Sequence, residues 1–254
     1  MIAHTKEQEV IEAAASLAAW SAVRVPYADI DALRAQPSPA GGKTLPGRFL
    51  KNSDEQTVAG MAAILRAIHQ AGWNDRSFAD WAVLGAPQFL GRLAVTAVIS
   101  RYIAEPTYSV SPHIIPNQCL HSISGTVSVG LGIRGPNYGV GGGRGAAVEA
   151  LLAALSLLKS SNVAGVWLVM TAFDPDPIPD GKGKPTNSID VIGAALALTR
   201  DGNSAPPVRL IRDSACGQSE SKLSDLIRQL ESSDSRKVLG EIEGLGRIVV
   251  DLNH

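Results

Sequence analysis

A chain of 254 residues with 45% apolar content is long enough to bury one substantial core, or two small ones. Its 23 basic and 24 acidic side chains leave a net charge of −1, which excludes the basic bias of a nucleic-acid or anionic-membrane binder. Two cysteines, Cys119 and Cys216, are too few for a disulfide framework and match no zinc spacing. A reducing cytoplasm is therefore the expected compartment, with no metal and no cofactor.

In chain order, Lys6 to Leu17 reads as an amphipathic helix with acidic early turns. Glu7, Glu9 and Glu12 within it speak against a signal peptide, and no apolar run is long enough to predict a membrane span. Ala18 to Val25 reads as a strand stopped by Pro26, followed by a long Pro- and Gly-rich loop to Leu50 with a short helix near Asp29 to Gln36. Ser53 with Gln56 forms a capping box for a helix that ends at Gly72. Ala79 to Ala86 is a second strand. Phe89 to Tyr102 is a helix with Leu90, Leu93, Ala94, Ala97 and Val98 along one side, and Glu105 to Pro116 is a Pro-rich loop. Asn117 to Ile133 has small residues every three or four positions and reads as a tightly packed helix.

Next comes a strand, Asn137 to Val140, then a corner of Gly139, Gly141, Gly142, Gly143 and Gly145, then a helix from Arg144 to Lys159. The bare head of that helix offers free N–H groups and a partial positive charge. Val163 to Ala172 is the strongest strand signal, a continuous apolar run expected at the centre of a sheet. Phe173 to Pro185 is a stiff exposed loop and Ile189 to Thr199 another buried strand. Val208 to Arg212 predicts a hairpin or edge strand, Leu223 to Glu231 a polar helix and Arg247 to Leu252 a last strand. With no repeat and no clean linker, residues 1–254 read as one α/β domain.

Several patterns could carry chemistry. Gly41-Gly42-Lys43-Thr44 resembles the end of a phosphate loop, but Pro37 stands where its first glycine belongs and no strand precedes it. Gly141 to Ala146 fits GxGxxA, a variant of the dinucleotide fingerprint, with Asp174 as a ribose-binding acid. This leaves an NAD(P)-dependent enzyme as an alternative. His113 and His121 have no partner at metal spacing, and Cys119 shares the segment of His121; these three are candidate cavity residues. Asp174 and Asp176 are a carboxylate pair in a Pro-rich turn. Arg144 is a cation in the first turn of a helix, where it is disfavoured by roughly 0.3–1 kcal/mol unless an anion sits nearby.

The segment 117–158, with GIRGPN (Gly132 to Asn137) its most specific piece, resembles a β-ketoacyl synthase of the thiolase fold. The runs at 163–174, 188–202 and 18–23 resemble further strands of that family, so the likeness covers about 17–202. It implies a mixed β-sheet with helices on both faces, a single lobe lacking most of the second, with 203–254 a divergent tail of strand, helix and strand. It also places the family's nucleophilic cysteine at Arg144, or at Gly143 after a one-residue slip. An arginine stays protonated and cannot take an acyl chain. The family's two catalytic histidines belong to a C-terminal half, and only His254 follows Gly202 here.

The resemblance therefore implies a non-catalytic, chain-length-factor-like subunit in fatty-acid or polyketide biosynthesis. Gly141, Gly142, Gly143 and Arg144 would form a degenerate active-site corner, with Asn137, Tyr138, Gly139 and Val140 at a dimer contact. The expected partners are a ketosynthase in a heterodimer, or a second copy, and an acyl carrier protein. A homodimeric acyl- or carrier-binding module is a further alternative.

Overall fold

The structure is a computed structural model and describes residues 11–105, 117–200, 205–217 and 222–251. Eight strands form one mixed sheet in the order β3-β2-β4-β5-β1-β6-β8-β7. They are β1 (Ile11–Pro26), β2 (Ala82–Pro87), β3 (Asn137–Gly139), β4 (Gly165–Asp174), β5 (Asp190–Thr199), β6 (Pro207–Arg212), β7 (Arg236–Ile242) and β8 (Gly246–Asp251). β2 runs parallel to β3 and β4, and every other neighbouring pair is antiparallel.

The apolar run of β4 is buried on both sides because helices cover both faces. Val166, Leu168 and Met170 face α5 (Ala146–Ser160) and α6 (Leu223–Glu231). Trp167, Val169 and Phe173 face α2 (Glu55–Gln70) and α4 (His121–Leu131). α1 (Ile30–Ala35) joins the second layer, while α3 (Arg92–Ala104) lies at the margin. The mixed sheet with helices on both faces is the fold expected from the resemblance.

Glycines set how closely the layers approach. A Cβ on Gly193 of β5 would stand 2.5 Å from the Ala59 carbonyl oxygen, so only glycine lets α2 lie this low on the sheet. Gly85 of β2 does the same for α4, where a Cβ would stand 2.9 Å from the Ser124 nitrogen.

Several expectations are corrected. Residues 11–17, expected in a helix, are strand: the alanine-rich stretch pairs with β6 and β5, and sheet pairing overrides its helical propensity. α2 is capped by the side chain of Asp54, which accepts from Thr57 N–H at 3.0 Å, and not by Ser53. β6 is neither an edge nor a hairpin partner of β5, since β1 and β8 flank it. The tail holds an additional strand, β7, hidden in sequence by Arg236, Lys237, Gly240 and Glu241. Lys237 is buried there, and its Nζ donates to the carbonyls of Leu230 (2.8 Å) and Ser232 (2.6 Å), closing the end of α6.

Of the side expected to pack, Leu93 is buried and Leu90, just before α3, is partly buried against the core, while Ala94, Ala97 and Val98 are half-buried. Val95, Ile99, Tyr102 and Ile103 on α3 are exposed apolar side chains. The small-residue helix begins at His121 and not at Asn117.

Candidate functional site

The glycine corner lies where β3 hands over to α5. β3 is three residues long and forms one edge of the sheet, and the Val140 N–H continues its ladder to the Gly85 carbonyl at 2.9 Å. Gly141 (φ 71) and Gly142 (φ 116) then take left-handed conformations that turn the chain back toward α5. The Gly142 carbonyl accepts from Phe89 N–H at 3.0 Å, and Ala146 N–H donates to Gly143 O at 3.2 Å. Gly145, at the head of α5, supplies no side-chain cap. A Cβ at Gly143 would meet nothing within 4 Å.

The Glu149 carboxylate lies over this corner. Cβ atoms on Gly141 and Gly145 would each stand 3.2 Å from one of its oxygens. It thus complements the positive head of α5 from within the first turn.

Arg144 lines two recesses. One is a cavity of about 150 Å³, shared with Gln88, Asp174, Asp176, Lys222 and Ser224. The other is an open groove of about 660 Å³, walled by Phe89, Leu90, Val95, Leu120 and Gly142, with Arg92 and Asp176 at its polar end. Two carboxylates, Asp174 at the end of β4 and Asp176 in the loop after it, share the first recess with Arg144. Asp174 is itself held by Arg24 Nη2 at 3.0 Å, and the same guanidinium reaches Asp190 at 3.1 Å.

Cys119 and His121 do not open on the corner. They line a separate groove of about 480 Å³ with Arg48, Asn52 and Asn117. Within it, Ser122 Oγ lies 3.6 Å from Cys119 Sγ, and His121 Nδ1 lies 3.3 Å from Ser124 Oγ. Leu120, between them in sequence, turns the other way and lines the corner groove. His113 lies outside the described residues.

The fold also counts against the dinucleotide reading. After β3 and α5 the chain enters β4, which β2 separates from β3, so Asp174 is not on a strand neighbouring the glycine turn. A pyrophosphate at the head of α5 would meet the Glu149 carboxylate. The phosphate-loop resemblance at Lys43 ends in a loop contact, Nζ donating to the Asn74 carbonyl at 3.3 Å.

Asn137, Tyr138 and Gly139 lie on the outer strand of the sheet, with Tyr138 exposed. Four residues do not read from sequence as part of the site: Gln56, placed in a capping box, Thr171, placed in a strand, Phe89, placed at a helix start, and Gln88; they support the corner from behind. In sequence, Pro87 just before Gln88 is the signal that a turn begins there. Among the described residues, no helix is long and apolar enough to cross a membrane.

No family model matches the chain. Among solved structures it is similar to a chain of the ketosynthase ApeO in complex with its chain length factor ApeC from Xenorhabdus doucetiae. That match has a TM-score of 0.58 at 15% identity, over 92% of this chain and 99% of that one. It is also similar to AntDE:AntF, a type II polyketide acyl-carrier protein in complex with its ketosynthase bound to the hexaketide (TM-score 0.53, 14% identity, 74% of this chain and 63% of that one). A third likeness is to the ishigamide ketosynthase/chain length factor (TM-score 0.50, 16% identity, 78% and 65%). The chain spans one of these structures end to end and less than two thirds of the other two. It has the thiolase-like fold of ketosynthase and chain length factor structures.

Proposed function

We propose that this chain is a non-catalytic, chain-length-factor-like subunit that pairs with a ketosynthase in polyketide- or fatty-acid-type biosynthesis and meets its acyl carrier protein. The observation that carries the reading is the head of α5. The ketosynthase-like architecture is kept there, yet the turn contains Gly141, Gly142, Gly143, Arg144 and Gly145, with no thiol or hydroxyl among them. Condensation needs a thiolate nucleophile, and the guanidinium of Arg144, which lines one cavity with Asp174 and Asp176, cannot supply one. The end-to-end likeness to a chain of a ketosynthase–chain length factor complex supports the pairing.

The surface around β3 supports it too. Among the described residues no strand pairs with its outer edge, a liability unless a partner strand covers it, and the exposed side chains of Ile99, Tyr102 and Ile103 lie on the marginal helix α3. In this reading Asn137 to Val140 form the contact, the corner groove faces the acyl chain, and the complex works in the cytoplasm.

Native mass spectrometry of the chain with a ketosynthase encoded beside it tests the pairing. A one-to-one heterodimer is expected. A chain that ignores the synthase and forms only its own dimer fits the homodimeric acyl- or carrier-binding module instead.

A further inference from the structure

Phe89 holds a left-handed backbone, φ 53, which is costly for a bulky residue with a Cβ. Such an outlier persists only where its surroundings over-determine it. Here the surroundings are a buried polar clamp. Gln56, on the sheet-facing side of α2, is fully buried, and Thr171 of β4 nearly so. Gln56 Oε1 accepts from Thr171 Oγ1 at 2.8 Å, and its Nε2 donates to the Gln88 carbonyl at 3.0 Å. The Gln88 N–H donates back to the Thr171 carbonyl at 2.7 Å. Phe89 N–H then donates to Gly142 O, and the Arg92 guanidinium sits 5.7 Å from the Phe89 ring centre.

Both ends of the Gln56 amide are therefore used, one on β4 and one on the turn after β2. Val58, Ala59, Met61 and Ala62 around it on α2 are buried and apolar, so the helix does not itself require a polar residue there. A hydrocarbon in its place would leave the Gln88 carbonyl and the Thr171 hydroxyl without these partners.

We propose that Gln56 is a positioning residue that holds the Phe89 turn and thereby sets the width of the groove lined by Phe89, Val95, Leu120 and Gly142. This rests on the reading of that groove as facing an acyl chain, and adds the residue that, through Phe89, fixes which chain lengths it admits.

Two measurements test it. In the first, hydrogen exchange is followed in the full chain carrying Gln56→Met. The Phe89 amide should exchange at least tenfold faster while β4 and β5 amides stay protected; wild-type protection at Phe89 overturns the clamp. Should Gln56→Met fail to fold, Thr171→Val, which removes one bond of the clamp, replaces it. In the second, the chain is paired with its ketosynthase and products are sized by mass spectrometry. Gln56→Met and Phe89→Ala should shift the chain-length distribution in the same direction with the heterodimer intact. Unchanged lengths in an intact heterodimer overturn the specificity role, since loss of stability alone lowers yield without changing length. A wild-type pair that makes no product removes the acyl reading together with that specificity role, and the exchange measurement still decides the clamp.

Discussion

α2 and α5 begin in opposite ways, and the difference separates what holds this fold from what it leaves open. The head of α2 is closed. Asp54 caps it from a buried position, Thr57 completes the cap, and most of the helix is sealed against β5 and β1. The head of α5 has no side-chain cap, only glycines, one carboxylate above it and two recesses beside it. Small residues serve both places for contrary reasons. Under α2, Gly193 admits a neighbouring backbone; at the corner, Gly143 admits nothing and leaves space. In the proposed reading, a corner left this open beside so tightly packed a helix serves contact rather than chemistry.

The largest expected effect breaks the comparison most directly. Gly193→Ala drives a methyl group into the backbone of α2 at Ala59 and Gly60 and should cost about 3 kcal/mol or more in urea unfolding. Gly143→Ala should stay within about 0.5 kcal/mol. Equal costs would erase the distinction between a packing glycine and an open one.

Of similar size is a pH effect at the closed head. Burial pushes the Asp54 carboxyl up to about 6, against the lowering influence of its bonds to Thr57. The folded state then binds the proton more tightly than the unfolded chain does. This contribution is fully present below about pH 4 and is lost as pH rises through 6, a fall of about 3 kcal/mol. Asp54→Asn, which keeps a capping oxygen, should flatten stability across that window; an unchanged slope would place the titration elsewhere.

At the open head, Glu149→Gln removes only the charge that complements the helix and should cost about 0.3–1 kcal/mol, less at high salt. The smallest stability effect belongs to the margin. Ile99→Glu with Ile103→Glu alters two exposed side chains and should shift unfolding by less than about 0.5 kcal/mol, while weakening the ketosynthase complex seen by native mass spectrometry.

The legible parts of the chain were those whose neighbours are generic. The apolar runs of β4 and β5 and the alanine–leucine face of α5 need only a buried place, and each formed where expected. Residues 11–17 misled because alanine and glutamate favour helix locally while the sheet offers pairing on both sides. β7 was hidden by charge, since nothing local tells that Lys237 finds two carbonyls inside the fold. At the corner, the glycines and Arg144 were visible in sequence, but the separation of Cys119 and His121 from it was not. That follows from which way Leu120 turns. The Gln56 clamp joins residues 115 apart and leaves no periodic trace.

The most direct test of the central claim is a condensation assay with malonyl- and acyl-loaded carrier protein, run on the purified chain alone and on the chain with its ketosynthase. The account predicts no condensed product from the chain alone and chain extension by the pair. Extension by the chain alone at an enzyme-like rate would contradict it.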